Sequence, residues 1–212
     1  RFEKALRARP ETAPLFAHGV ISRSVCSALV EKYREERWRI TEFWVRVQEA
    51  LGLAILGYDS EMHGIRFKHG DGAVCVELLS GRRIVYPDAH FEQERREAYS
   101  RPDANGVDAH FGANRQVIRF GHGESLYGGK IAEHIVSGTA RDVLVHVIAM
   151  LERRGWPVVT HCHDDVVCTP PIERADECMQ SMIAAWRNVP AWINGLVLDA
   201  EAKVGADFAE LC

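Results

Sequence analysis

The segment of this chain richest in reactive side chains is Thr160-His161-Cys162-His163-Asp164-Asp165-Val166-Val167. Two adjacent aspartates lie between two apolar half-strands, where a tight turn exposes them at a sheet edge. Successive strand residues point to opposite faces, so both carboxylates aim into one site only if the turn distorts that alternation. Carboxylate oxygens suit a hard divalent cation such as Mg²⁺, which takes one or two carboxylates together with substrate phosphates. Asp-Asp can equally be present only as turn residues. The run T-H-x-H-x-D also contains most of a zinc motif of two His and an Asp at the end of an apolar strand, the signature of a metal-dependent hydrolase. Here, however, Val166 stands where that motif has a further His, and no histidine follows His163 to complete a zinc site.

The helix expected before this hairpin carries Lys130, His134, Ser137 and Arg141 at spacings of four, three and four. That spacing places them on one face, opposite the apolar stripe. Such a row can lie along a phosphate backbone or a groove edge, and it can equally be a solvated helix face.

The elements that must position these residues follow from periodicity. Ser24 to Leu51 is helical, with Val25, Leu29, Val30, Tyr33, Ile40, Phe43, Trp44, Val47 and Leu51 recurring at three and four. A break near 38–41 divides it, and Ser22 or Ser24 caps its start. RFEKALRA before it is a short helix ended by Pro10. From His63 the period becomes two: strands 65–68, 73–79 and 84–86, joined by turns at HGDG and SGRR, form an antiparallel meander. Residues 88–116 are polar and contain Gly and Asn, which predicts a long surface excursion, with one more strand at 117–120. A long helix spans about 131–154 and stops at Gly155. The Asp-bearing hairpin, a helix over 172–188 and a last strand near 196–204 complete the chain. Antiparallel strands with segregated helices define the α+β class. Three segments result: helical 1–60, meander and excursion 61–130, and hairpin segment 131–212.

The chain has 212 residues, 47% hydrophobic and 26% charged, which excludes disordered, collagenous and coiled-coil classes. No uninterrupted apolar run reaches the roughly 18 residues of a membrane span. The start lacks the apolar core of a signal peptide, so no membrane and a reducing, cytoplasmic compartment are the expectation. Six cysteines without a CxxC are expected to be buried free thiols. The net charge of −4 hides an asymmetry, with 10 basic against 7 acidic residues in 1–50 and 6 against 12 in 131–212. A nucleic-acid binder is usually basic, so composition alone leans against one.

The ordered run YGGKIAEHIVSGTARDVLVHVIAMLERRGWPVVTHCHDDVVCTPP (127–171) resembles the C-terminal palm of family A, DNA polymerase I-like polymerases, especially their phage-type branch. The resemblance extends through 29–44, 78–89 and 189–202, and so covers nearly the whole chain. It implies a partial polymerase fold, late fingers plus an antiparallel palm sheet with long helices on one side. It also implies template-directed nucleotidyl transfer to a primer 3′-OH by a mechanism using two Mg²⁺ ions. The implied partners are primer-template DNA and a dNTP, in DNA replication in a bacterial or phage-infected cell.

Within the resemblance, Asp164 matches the invariant carboxylate of the third catalytic motif, a magnesium ligand. Asp165 stands where the family usually has Glu, and His163 matches a histidine near the primer terminus. His134 and Ser137 replace an Asn and a Gln that read the minor groove, while Lys130 and Arg141 are retained. The family's first catalytic Asp and its nucleotide-binding helix, with Lys and Tyr-Gly, are expected upstream of Arg1. The 212 residues are therefore expected to be a C-terminal fragment, inactive alone. A degenerate, non-catalytic DNA-binding module is the other outcome compatible with a His-Asp-Asp motif.

Overall fold

A computed structural model describes residues 2–70, 72–95, 100–102, 108–110, 114–207 and 210. Arg1, Asp71 of the HGDG turn, Cys212 and parts of the 88–116 excursion lie outside the described residues.

Two short helices, α1 (Phe2–Arg7) and α2 (Ala13–Ala17), precede α3 (Arg23–Glu36) and α4 (Trp38–Ile55). Ser22 caps α3, its Oγ accepting from the Val25 N–H at 3.3 Å. The division between α3 and α4 falls at Arg37, whose ψ of 36° leaves the helical region. Then come β1 (Ser60–Met62), β2 (Ile65–Gly70), β3 (Ala73–Glu77) and β4 (Arg83–Pro87), a four-stranded antiparallel meander in sequential order.

The pleat of that meander sorts its side chains. Ile65, Phe67, Val74, Val76 and Tyr86 are buried on one face, against Val47 and Leu51 of α4. The opposite face carries the cross-strand row Arg66, Glu77, Arg83. Lys68 adds a fourth charge, bonding Glu77 at 3.2 Å.

The polar stretch after Pro87 differs from the expected irregular excursion. It contains β5 (His90–Arg95), β6 (Ser100–Pro102), β7 (Asp108–His110), β8 (Asn114–Phe120) and β9 (Glu124–Leu126). β5 and β9 flank β8 in a three-stranded sheet, and β6 pairs with β7. Phe91, Ile118, Phe120 and Leu126 seat the near end of this arm on the meander core, and ladder bonds hold it, with Arg119 bridging to Glu92 and Glu94 across it.

α5 (Gly128–Arg153) starts three residues before the periodic stripe. Tyr127 offers no side-chain cap, and the Gly128 N–H instead donates to Gln48 Oε1 of α4 at 2.8 Å. Gly155, at φ 80°, ends the helix, and the Trp156 N–H returns to the Leu151 carbonyl. By length and composition α5 could cross a membrane, yet its stripe is core. Ile131, Ala132 and Ile135 complete the meander cluster, while Leu144, Val147 and Leu151 form a second cluster with Trp156, Val166, Cys178 and Ala185.

The second cluster joins β10 (Val158–Cys162) and β11 (Asp165–Cys168), an isolated hairpin, to α6 (Ala175–Arg187). The expected strand at 196–204 does not form: the segment makes no ladder with any strand among the described residues. All ladders are antiparallel and the helices stand apart from them, so the architecture is α+β.

Candidate functional site: a carboxylate-tipped hairpin beside a long helix

The hairpin turn consists of His163 and Asp164 alone. Asp165 is already the first residue of β11 and pairs with Cys162. His163 sits at φ 52°, a left-handed conformation that costs an ordinary L-residue about 1 kcal/mol or more. Val166 and Cys168 face the second cluster, so alternation sends Asp165 to the opposite face of the hairpin, with Asp164 at the tip between the two faces. His163, Asp164 and Asp165 are all exposed. A bulge around Val159 lets Val158 point into the core while Thr160 points out.

The helix row is partly committed to protein partners. Lys130 donates to Glu124 Oε2 at 2.9 Å and lies 5.6 Å from the Phe120 ring centroid. His134 Nδ1 lies 3.0 Å from the Tyr86 hydroxyl. Ser137 is exposed, and the Arg141 guanidinium donates to His161 Nε2 at 3.4 Å. Arg141 is thus the member of the row that reaches the hairpin, contacting it on the face shared by His161 and Val166. Among the described residues no hydrogen bond joins Ser137, Lys130 or His134 to the hairpin tip; those of Lys130 and His134 run to the arm and the meander.

Sequence reasoning missed the residues that hold this row in place. Arg82, in the turn between β3 and β4, bonds Asp142 through Nε at 2.5 Å and the Gly138 carbonyl through Nη2 at 2.7 Å. Ser80 Oγ donates to the other Asp142 oxygen. The signal was available in SGRR and ARD as paired opposite charges, but nothing in the spacing says that residues sixty positions apart meet. Tyr86 falls in the strand predicted at 84–86, and its phenol is the sequence's sign that a polar partner is needed.

Among the described residues, no group of three or more His, Cys, Asp or Glu side chains is arranged to hold a metal ion. A zinc centre needs three or four protein donors, and this hairpin does not bring them together. By donor chemistry a carboxylate at this tip is the kind of group Mg²⁺ takes, one or two at a time with water and phosphate completing the shell; Asp165 stands in the ladder and Asp164 at the tip. The thiols divide by depth. Cys26 and Cys178 are buried and Cys75 and Cys168 half-buried, while Cys162 is exposed on the Asp165 side of the hairpin, contrary to the expectation of burial. Burial pushes the Cys168 thiol up to about 12.

These features define an α+β protein in which an exposed pair of carboxylates stands at a hairpin tip beside a long helix bearing basic and hydrogen-bonding side chains. The chain is similar to a DNA polymerase of Bacillus phage SP02, at 28% identity over 182 residues, 82% of this chain and 27% of that protein. It is thus related to a DNA polymerase, and spans about a quarter of that relative's length. No family model and no solved structure matches it.

Proposed function

We propose that this chain is the C-terminal part of a family A, phage-type DNA polymerase, comprising late fingers and the palm region with the third catalytic motif. The observation that carries the proposal is the exposed His163-Asp164-Asp165 tip in a chain similar to a phage DNA polymerase along 82% of its length. The reaction is in-line transfer. The primer 3′-oxygen forms a bond to the α-phosphorus of the incoming nucleotide, its proton departs, and the bond to pyrophosphate breaks.

Asp164 and Asp165 would hold Mg²⁺, which when bound supplies charge neutralisation at the reacting phosphate. The left-handed turn keeps Asp164 clear of both strands, so its carboxylate is available without backbone rearrangement. Arg141, beside His161, sets a cation next to the hairpin for a backbone phosphate, and His134 and Ser137 offer hydrogen bonds along the duplex. The acidic excess at 131–212 belongs to such a site, with much of the basic surface for primer-template contributed by the rest of the polymerase. The 212 residues alone, lacking the first catalytic Asp and the nucleotide-binding helix, do not extend a primer.

Primer extension tests this in the polymerase with its upstream sequence. Asp164→Ala lowers the rate at least about a hundredfold. Asp165→Glu, which restores the family's usual residue, retains extension. A rate within about twofold of wild type for Asp164→Ala, or extension by the 212-residue chain, overturns the assignment.

A further inference from the structure

The proposed DNA row contains one residue whose chemistry is set from behind. Tyr86, at the end of β4, is 1% exposed, with Phe120 edge-on at 5.3 Å and the His134 ring nearly parallel at 5.9 Å. Its hydroxyl has one hydrogen-bond partner among the described residues, His134 Nδ1 at 3.0 Å. Burial raises the phenol pKa far above neutrality, so the proton stays on the oxygen.

That proton decides the direction of the bond. If Nδ1–H donated to the phenol oxygen, the buried O–H would have no acceptor, a penalty larger than the worth of an ordinary hydrogen bond. With the phenol donating, Nδ1 is the acceptor, and the neutral imidazole carries its proton on Nε2. Among the described residues Nε2 has no hydrogen-bond partner, and the Glu124 carboxylate is the acidic group close enough to interact with the imidazole's charge. The buried side-chain N and O atoms without a partner among the described residues are Ser60 Oγ and His146 Nε2, so His134 Nε2 reaches solvent.

We propose that Tyr86 is a positioning residue that fixes neutral His134 as its Nε2–H tautomer, so that α5 presents an outward hydrogen-bond donor to the minor-groove acceptors of duplex DNA. Those acceptors, purine N3 and pyrimidine O2, are common to all four base pairs, so a fixed donor senses a correctly formed pair without reading its sequence. An Asn amide at this position would bring its own donor; a histidine brings one only if its tautomer is set, and Tyr86 sets it. The DNA half of the proposal rests on the polymerase assignment above; the tautomer does not.

Two measurements separate them. In the ¹⁵N-histidine-labelled 212-residue chain at pH 8, His134 shows a protonated, pyrrole-type Nε2 and an unprotonated Nδ1. Tyr86→Phe collapses that difference toward the average of exchanging tautomers. A protonated Nδ1 in the wild type overturns the tautomer assignment without any variant having to fold.

In the full-length polymerase, Tyr86→Phe weakens primer-template binding about 3- to 10-fold, one neutral hydrogen bond, and Tyr86→Phe with His134→Asn recovers it. If His134→Ala weakens binding and Tyr86→Phe does not, the positioning role fails. If neither does, His134 does not touch the duplex and the DNA half falls while the tautomer stands. Failure of the polymerase assignment itself shows separately, in the Asp164→Ala extension rate.

Discussion

Gly128→Ala tests how α5, and with it the row from Lys130 to Arg141, is seated on α4. A Cβ at position 128 would stand 2.0 Å from the Trp44 carbonyl oxygen and 2.6 Å from its carbon. Both are backbone atoms, so no rotamer change relieves the overlap. The first turn of α5 must withdraw from α4 by roughly 1–1.5 Å to restore ordinary contact. Ala is the better helix former by at most about 1 kcal/mol. Against that, withdrawal breaks the Gln48–Gly128 bond, about 1 kcal/mol, and forces the Trp44 contact apart at the usual overpacking cost of about 1–3 kcal/mol or more. The lost bond and the overpacking together outweigh the gain in helix propensity, for a net loss of about 1–3 kcal/mol. Urea unfolding of the 212-residue chain, followed by circular dichroism, measures it. Gly70→Ala, whose Cβ would meet nothing within 4 Å, serves as control and shifts stability by less than about 0.5 kcal/mol. A Gly128→Ala loss below about 1 kcal/mol, or a Gly70→Ala loss of similar size, refutes the close approach of α5 to α4.

Two further outcomes concern charge and thiols. The Lys68 ammonium that hydrogen-bonds Glu77, with Arg66 and Arg83 around it, holds that carboxyl below the ordinary 4.5 despite the opposing effect of burial. A depressed carboxylate adds stability above its unfolded value, and that stability is lost as pH falls through the lower folded value. Glu77→Gln therefore flattens the fall in stability below pH 4.5, and an unchanged acid limb counts against the cluster. Iodoacetamide at pH 8 labels exposed Cys162 first. Cys168 and Cys178, whose thiols burial pushes up, react at least about tenfold more slowly until urea is added. Equal native rates for Cys162 and Cys168 refute that order.

Much of this fold is legible in the sequence wherever one face is buried. α4, α5 and the meander declare themselves because Val47 and Leu51, Ile131 and Ile135, and Ile65 and Phe67 must recur at the period of their element to reach a common core. In the arm from His90 to Phe120 only the strand at 117–120 is legible, where Ile118 and Phe120 alternate onto the core; β5 reads HFEQER and relies largely on ladder bonds and Arg119 ion pairs that have no period. The opposite error at 196–204 has a related cause: Leu196, Val197 and Leu198 have the composition of a strand, but a strand exists only against a partner. At the site, the tip was legible because Asp-Asp between apolar half-strands has few places to go. Its supports were not, since Arg82 meets Asp142 and Tyr86 meets His134 only through the fold.

The bond from Arg82 to the Gly138 carbonyl has a mechanical consequence. Ser137-Gly138 is a Ser/Gly pair in mid-helix, the sort of position at which long helices hinge, and it lies between the stretch of α5 in the meander core and the stretch beneath the hairpin. A Cβ there would crowd the side-chain ends of Leu78 at 2.9 Å and Arg82 at 3.0 Å, so the glycine lets the β3–β4 turn come close to the helix. The glycine that admits this approach is also the weak point, and the same turn of chain repairs it. Arg82 and Ser80 grip the helix at 138 and 142, on either side of Arg141, and splint it where it would otherwise bend. The hairpin shares no ladder with any other strand among the described residues. The aim of Asp164 relative to the meander therefore depends on how stiffly this one helix is braced at its softest turn.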